Sequence, residues 1–87
     1  MELQQSFEEA QKKTSRFSTK PSQEELLELY SLYKQGSEGD VQGERPGGFD
    51  FKAIAKFDAW KSKLGISKED AMDTYIKLVD QLFEKYG

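Results

Sequence analysis

Residues 29–51, LYSLYKQGSEGDVQGERPGGFDF, begin with helical spacing and then lose all period. Tyr30, Tyr33 and Lys34 fall within little more than one turn, with Tyr30 and Lys34 four apart and so on one face. From Gly36 to Asp50, five glycines and Pro46 leave no pattern that a helix or strand could use, and Arg45 to Gly48 reads as a tight turn. Irregular segments this long are uncommon in small domains and are usually functional or mobile.

On the N-terminal side of this segment, Ser22 followed by Glu25 has the spacing of a capping box, directly after Pro21 has disfavoured helix at Lys20. The run that follows places Leu26, Leu29 and Tyr33 on one face and Leu27, Tyr30 and Lys34 about a hundred degrees round. So wide a stripe predicts a helix with two neighbours, stopping near Gly36. Further upstream, Leu3, Phe7, Ala10 and Thr14 recur at steps of three to four, which predicts an amphipathic helix over residues 2 to about 15.

On the C-terminal side, Asp50 is placed to cap a third helix, FKAIAKFDAWKSKL, with Ile54, Phe57, Trp60 and Leu64 as its core stripe and Gly65 closing it. Ser67 with Asp70 repeats the capping-box spacing, with Asp in place of Glu. The helix it opens carries Met72, Tyr75, Ile76, Val79, Leu82, Phe83 and Tyr86 on one face. The expectation is an all-α chain: one domain over residues 1–87, a four-helix bundle with a long loop between helices 2 and 3.

Composition narrows the functions. Hydrophobic residues make up 36% and charged residues 33% of the 87, with six Phe, four Tyr and one Trp to build a core. With neither Cys nor His, disulfide frameworks, thiolate chemistry, Cys/His zinc sites and His-based catalysis are excluded, and a reducing compartment is expected. The N-terminus is polar and acidic where a secretion signal would be basic and then apolar, and no segment approaches the roughly 20 apolar residues that span a bilayer. A cytoplasmic protein without membrane insertion is the expectation.

The net charge of −3 argues against nucleic acid as a partner, but the charge is unevenly placed. Residues 37–50 carry Glu38, Asp40, Glu44 and Asp50 against Arg45, whereas residues 51–64 carry Lys52, Lys56, Lys61 and Lys63 against Asp58. A locally basic helix of that size suits a compact anion.

Tyr30, Tyr33 and Lys34 suit a nucleotide-like head group, since rings can stack a base and an ammonium can pair with phosphate. They equally suit core tyrosines with solvated hydroxyls and a lysine complementing the helix dipole. Lys52 and Lys56, four apart without an interleaved acid, repel mildly; an anionic ligand would relieve this, and a solvated face explains it as well. The P-loop and EF-hand spacings are absent, so no metal site is expected. The paired acids lie mostly near helix starts, where the dipole favours them, and no carboxylate pair is spaced for acid/base work; no enzyme is expected.

The ordered series Y-S-L-Y-K-Q-G, E-G-D, E-R-P-G-G-F-D-F, A-K-F-D-A-W and S-K-E-D-A-M-D-T-Y resembles the acyl-CoA-binding protein family over nearly the whole chain. The resemblance implies an up-down-down-up bundle that binds medium- to long-chain acyl-CoA non-covalently, as an intracellular carrier or buffer. A monomer with no cofactor beyond the bound ligand is expected. Carried over by matched motif, the head-group residues are Tyr30, Tyr33, Lys34, Lys52, Lys56 and Tyr75. Lys34 and Lys56 are expected at the 3′-phosphate with the Tyr30 hydroxyl, Tyr33 against adenine, and Lys52 and Tyr75 at the remaining phosphate and ribose. Leu27, Ala10 and Ala55 are expected to line the acyl groove.

The chain departs from the family pattern at several places: Gly36 for Ala, Gly48 for Met or Leu, Ala53-Ile54 for Gly-Lys, Phe57 for Trp, and Ser15 for a lysine. Of these, Gly36 is expected to loosen the end of the second helix. The alternative to a lipid carrier is a helical protein-interaction module that takes a partner helix on its exposed apolar face.

Overall fold

The computed structural model describes residues 2–87 and is all-helical. Helix α1 spans Glu2–Lys13 and runs into a short 3-10 turn, Thr14–Arg16; α2 spans Gln23–Glu38, α3 Phe51–Lys61 and α4 Lys68–Tyr86. Helix α2 packs on α4 and on α3, and α1 packs on α4.

Side-chain contacts fix the directions. Lys13, at the end of α1, pairs with Asp80 near the end of α4, so these two helices run parallel. Glu25 in the first turn of α2 accepts from the Lys85 Nζ and the Tyr86 hydroxyl at the end of α4, so α2 and α4 are antiparallel. Trp60, near the end of α3, donates its indole N–H to the Gly39 carbonyl just past α2, so α2 and α3 run parallel. The arrangement is up-down-down-up, and a parallel α2–α3 pair requires the long return that residues 39–50 supply.

Both serines cap as their spacing predicts. Ser22 Oγ accepts from Glu25 N (3.1 Å) while Ser22 N donates to the Glu25 carboxylate (2.8 Å), a complete capping box. Ser67 Oγ accepts from Asp70 N, but among the described residues the return bond is missing; the Asp carboxylate is one methylene shorter than that of Glu.

Helix α2 does not stop at Gly36. It continues to Glu38 and is closed by Gly39 at φ +86°, whose N–H bonds the Gln35 carbonyl. Nor does Gly36 loosen the helix: it is buried, and a Cβ there would stand 3.0 Å from Phe7 Cζ and 3.1 Å from Met72 Cγ. The missing methyl lets the Phe7 ring lie against the α2 backbone.

The core joins Phe7 and Ala10 of α1, Leu29 and Leu32 of α2, and Met72, Tyr75, Val79 and Leu82 of α4. Helix α3 contributes no buried residue, which corrects its expected core stripe. Ile54, Phe57 and Trp60 are only half-buried, and Leu64 is 58% exposed. The Cα envelope is 36 × 30 × 15 Å, about one and a half helix diameters thick, so α3 sits at the side of the slab. Helix α3 also ends at Lys61 rather than running to Gly65. Lys63 N bonds Trp60 O and Leu64 N bonds Lys61 O, tighter i→i+3 bonds that swing Leu64 out to solvent.

The long segment is irregular but tied at both ends. Gln35, fully buried, donates to Asp40 Oδ1 (2.9 Å) and to the Ile66 carbonyl (2.7 Å). Asp40 Oδ1 also accepts from Gly65 N (2.8 Å), so the start of the segment is joined to the α3–α4 turn. Further along, Arg45 grips Asp58 through two parallel bonds of 2.8 and 2.9 Å, the fork geometry of a guanidinium on a carboxylate. The turn forms at Gly48 and Phe49, with Gly48 at φ +70°, and Asp50 Oδ1 then caps α3 by accepting from Ala53 N (3.2 Å).

Candidate functional site

The parallel α2–α3 pair leaves a trough between them, because the small Ala55 of α3 faces the α2 side chains Leu26 and Leu27. This cavity, of about 600 Å³, is lined by those residues together with Lys20, Pro21, Gln23, Tyr30, Lys52 and Lys56. A second cavity of about 450 Å³ adjoins it on the other side of α2, lined among others by Gln11, Thr14, Phe17, Leu29, Tyr33 and Tyr75. Lys20, Pro21, Leu26 and Tyr30 belong to both walls. The two form one surface with an apolar floor and a cationic rim.

The rim has uncompensated charge. Among the described residues, Lys20, Lys52 and Lys56 form no ion pair, while Lys13, Lys34, Lys63, Lys77 and Lys85 each hold a carboxylate. Lys56 Nζ lies 5.2 Å from the centroid of the Tyr30 ring, which joins an α3 cation to an α2 aromatic across the trough. Three ammonium groups around one cavity repel one another in the free protein, and an anion of several charges relieves that repulsion.

Not every expected residue is at this rim. Lys34 pairs with Glu38, four residues on, and stands 5.0 Å from the Trp60 ring; its pKa is raised, chiefly by the Glu38 carboxylate. It lines neither cavity. Tyr33 stacks on Phe7 with centroids 5.1 Å apart and planes within 18°, so one face of its ring is already occupied. Tyr75 meets Phe7 edge-on at 5.2 Å, is buried to 3% exposure, and has its pKa pushed up to about 12 by that burial and then by Tyr33. A phenol so poised stays neutral and can donate to an anion over the whole physiological range.

Tyr30, Lys52, Lys56, Leu27 and Ala55 are thus brought together at the larger cavity, and Tyr30, Tyr33 and Tyr75 at the smaller. Ala10 is in the core, at 6% exposure, and lines neither. Sequence reasoning missed Lys20 and Pro21, which sit where the cavities meet. The available signal was a lysine beside a proline at the mouth of a helix whose stripe was too wide for one neighbour. Among the described residues no cluster of acidic side chains could hold a metal ion.

The chain matches the family model described as Acyl CoA binding protein over residues 4–79. It is 51% identical over 85 residues to the acyl-CoA-binding protein of Saccharomyces cerevisiae, covering 98% of each chain. It is 46% identical over 82 residues to acyl-CoA-binding protein homolog 1 of Caenorhabditis elegans, covering 94% of this chain and 95% of that one. Among solved structures, it superimposes on Oryza sativa acyl-CoA-binding protein 2 with a TM-score of 0.91 at 47% identity, covering 95% of this chain and 92% of the other.

Proposed function

The chain belongs to the acyl-CoA-binding protein family, and from that premise we propose that the cationic rim takes the phosphates of an acyl-CoA while the trough between α2 and α3 takes its tail. The protein is a non-enzymatic acyl-CoA-binding carrier. The observation that carries the assignment of the site is the joining of three lysines without an ion pair among the described residues, Lys20, Lys52 and Lys56, to an apolar cavity lined by Leu26, Leu27 and Ala55.

In this reading Lys52 and Lys56 hold phosphate oxygens, with the Tyr30 and Tyr75 hydroxyls donating. Lys20 joins them from the opposite wall. Tyr33 offers its free face and edge to the adenine. Lys34 reaches phosphate by exchanging Glu38 for the ligand, a swap between two anions that keeps the ammonium paired throughout. The tail runs along Leu27 and Ala55, and the ligand is of medium to long chain. The protein works as a cytoplasmic monomer.

Magnitudes divide the labour between the two ends. Each buried methylene contributes about 0.8 kcal/mol, so a tail four carbons longer gains roughly 3 kcal/mol, on the order of a hundredfold in Kd, for as long as the trough covers it. A charge-assisted hydrogen bond contributes about 1.5–3 kcal/mol. Calorimetric titration with palmitoyl-CoA, coenzyme A and palmitate tests this. Palmitoyl-CoA is expected to bind far more tightly than either half alone, and equal affinity for coenzyme A and its thioester would rule out the trough as the tail site.

A further inference from the structure

The ion pair between Lys34 and Glu38 is poorly explained by the helix that carries it. Glu38 is the last residue of α2, where the free carbonyls give the helix end a negative potential that disfavours an acid. The order is also the weaker one, since an acid four residues before a lysine supports a helix better than an acid four residues after it. Glu38 is exposed, and among the described residues its carboxylate meets no partner but Lys34.

The place of that lysine on the seam between α2 and α3 ties the pair to the ligand. Tyr30, Lys34 and Glu38 follow one another at steps of four along α2, and Lys56 and Trp60 stand four apart on α3. Across the parallel helices, Lys56 Nζ lies 5.2 Å from the centroid of the Tyr30 ring and Lys34 Nζ lies 5.0 Å from that of the Trp60 ring. These are two successive rungs of cation on ring, one turn or about 6 Å apart. The first rung borders the cavities, whereas Lys34 and Trp60 line neither. Glu38 stands one turn beyond the second rung, so its bond draws the Lys34 ammonium away from the cavities and toward the C-terminal end of α2. The other acids at this end of the seam are held elsewhere: Asp40 accepts from Gln35 and from Gly65 N, and Asp58 is gripped by Arg45.

We propose that Glu38 is an affinity-setting residue, an internal counter-anion that holds Lys34 off the site in the free protein and competes with the ligand's phosphate for it. The inference rests on the reading of Lys34 as a phosphate contact. The flexible four-carbon stem of a lysine lets its ammonium move toward the Tyr30–Lys56 rung, but the move breaks the ion pair and leaves the Glu38 carboxylate beside a second anion. Both effects weaken the head-group end and leave the tail end untouched. Glu38 therefore lowers affinity by the same factor for every ligand that carries this phosphate, whatever its chain length. An exposed ion pair is weak, so the factor is modest. Its consequence is faster release of the cargo, because affinity differences at one binding site fall mostly on the off-rate.

Calorimetric titration with palmitoyl-CoA and with coenzyme A tests this on the parent, Glu38→Gln, Lys34→Ala and the double variant. Glu38→Gln keeps the size of the side chain and removes its charge at an exposed helix end, so fold and thermal midpoint are expected to hold. It is expected to bind both ligands about three- to tenfold more tightly than the parent, by the same factor for each. Stopped-flow displacement is expected to find most of that gain in a slower off-rate. In the Lys34→Ala background the same substitution is expected to gain less than about twofold, the remainder left by screened charge alone. Unchanged binding by Glu38→Gln overturns the proposal. Weaker binding also overturns it, because Glu38 would then pre-position Lys34 for the ligand. A gain that persists in full without Lys34 does so too, by making Glu38 a plain repulsive charge. Lys34→Ala separates these failures from that of the underlying reading. If that variant binds as the parent does, Lys34 is no phosphate contact and both fall; if it loses affinity while Glu38→Gln changes nothing, the contact stands and only the competition falls.

Discussion

The triangle of α1, α2 and α4 and the lone shelf of α3 are built from similar residues and do opposite things with them. In the triangle, Phe7, Tyr33 and Tyr75 form a closed aromatic cluster, and Val79 and Leu82 are sealed beneath it. On α3 no side chain is buried, although Ile54, Phe57 and Trp60 recur at the same helical spacing. The difference is the number of neighbours, since α3 touches α2 and its other flank is open. Apolar surface left uncovered in the free protein is surface that a ligand can still cover, and cations left unpaired can still be paired. Stability is concentrated in the triangle and binding capacity on the shelf.

The sharpest way to break this division is to remove a ring from each side. Phe7→Ala should cost about 3–5 kcal/mol in urea denaturation, because it empties a site packed by two tyrosines and the Gly36 backbone. Phe51→Ala on the shelf should change stability by less than about 0.5 kcal/mol. Comparable losses from the two would erase the distinction.

The next largest effect should fall on binding alone. Lys56→Ala removes an unpaired rim cation, and calorimetry should find acyl-CoA affinity down by about ten- to a hundredfold. Stability should move by less than about 1 kcal/mol, the scale of its interaction with the Tyr30 ring.

These two helices also show what a sequence can and cannot reveal. Helical spacing says which residues share a face, and it identifies the stripe of α3 correctly as a stripe; whether a neighbour covers that stripe depends on the packing of helices distant in the chain. Capping is local, so Ser22, Asp50 and Ser67 are legible as helix starts. Tyr30, Lys52 and Lys56 are legible through the family motif, and the structure brings them to one cavity. Lys34 reads as a free cation only when Glu38, four residues on, is overlooked. Gly36 reads from its neighbours in sequence as a helix stop, whereas its role is set by Phe7, twenty-nine positions away.

A smaller effect sharpens that last point. Gly36→Ala restores a better helix former, which alone favours folding by about 1 kcal/mol, but forces a methyl against the Phe7 ring at 3.0 Å, and overpacking costs about 1–3 kcal/mol. The ring is wedged between two tyrosines, so a net loss of about 1 kcal/mol is expected, turning to a gain when Phe7→Leu is added.

The smallest effect concerns the seam of the triangle. Glu25 has its pKa lowered from 4.5 to about 2 by the Tyr86 hydroxyl first, then by the Ser22 N–H and Lys85. A carboxyl whose folded-state pKa is depressed stabilises the fold above its ordinary pKa and loses that contribution as pH falls, here between about 4.5 and 2. Denaturation midpoints measured down that range should fall less steeply for Glu25→Gln than for the parent, and acyl-CoA binding at neutral pH should be the same in both. Asp40 and Asp58 have depressed pKa values too, from the Gly65 N–H and from Arg45, so the slope should flatten in the variant without vanishing.

The division of labour between triangle and shelf is tested most directly by following backbone amides in solution during a palmitoyl-CoA titration. The expected result is that shifts concentrate at Lys20, Leu27, Tyr30, Lys52, Ala55 and Lys56, while Glu24, Leu78 and Gln81 on the opposite face stay still. Shifts gathered on that opposite face, with the α2–α3 trough silent, would contradict the account.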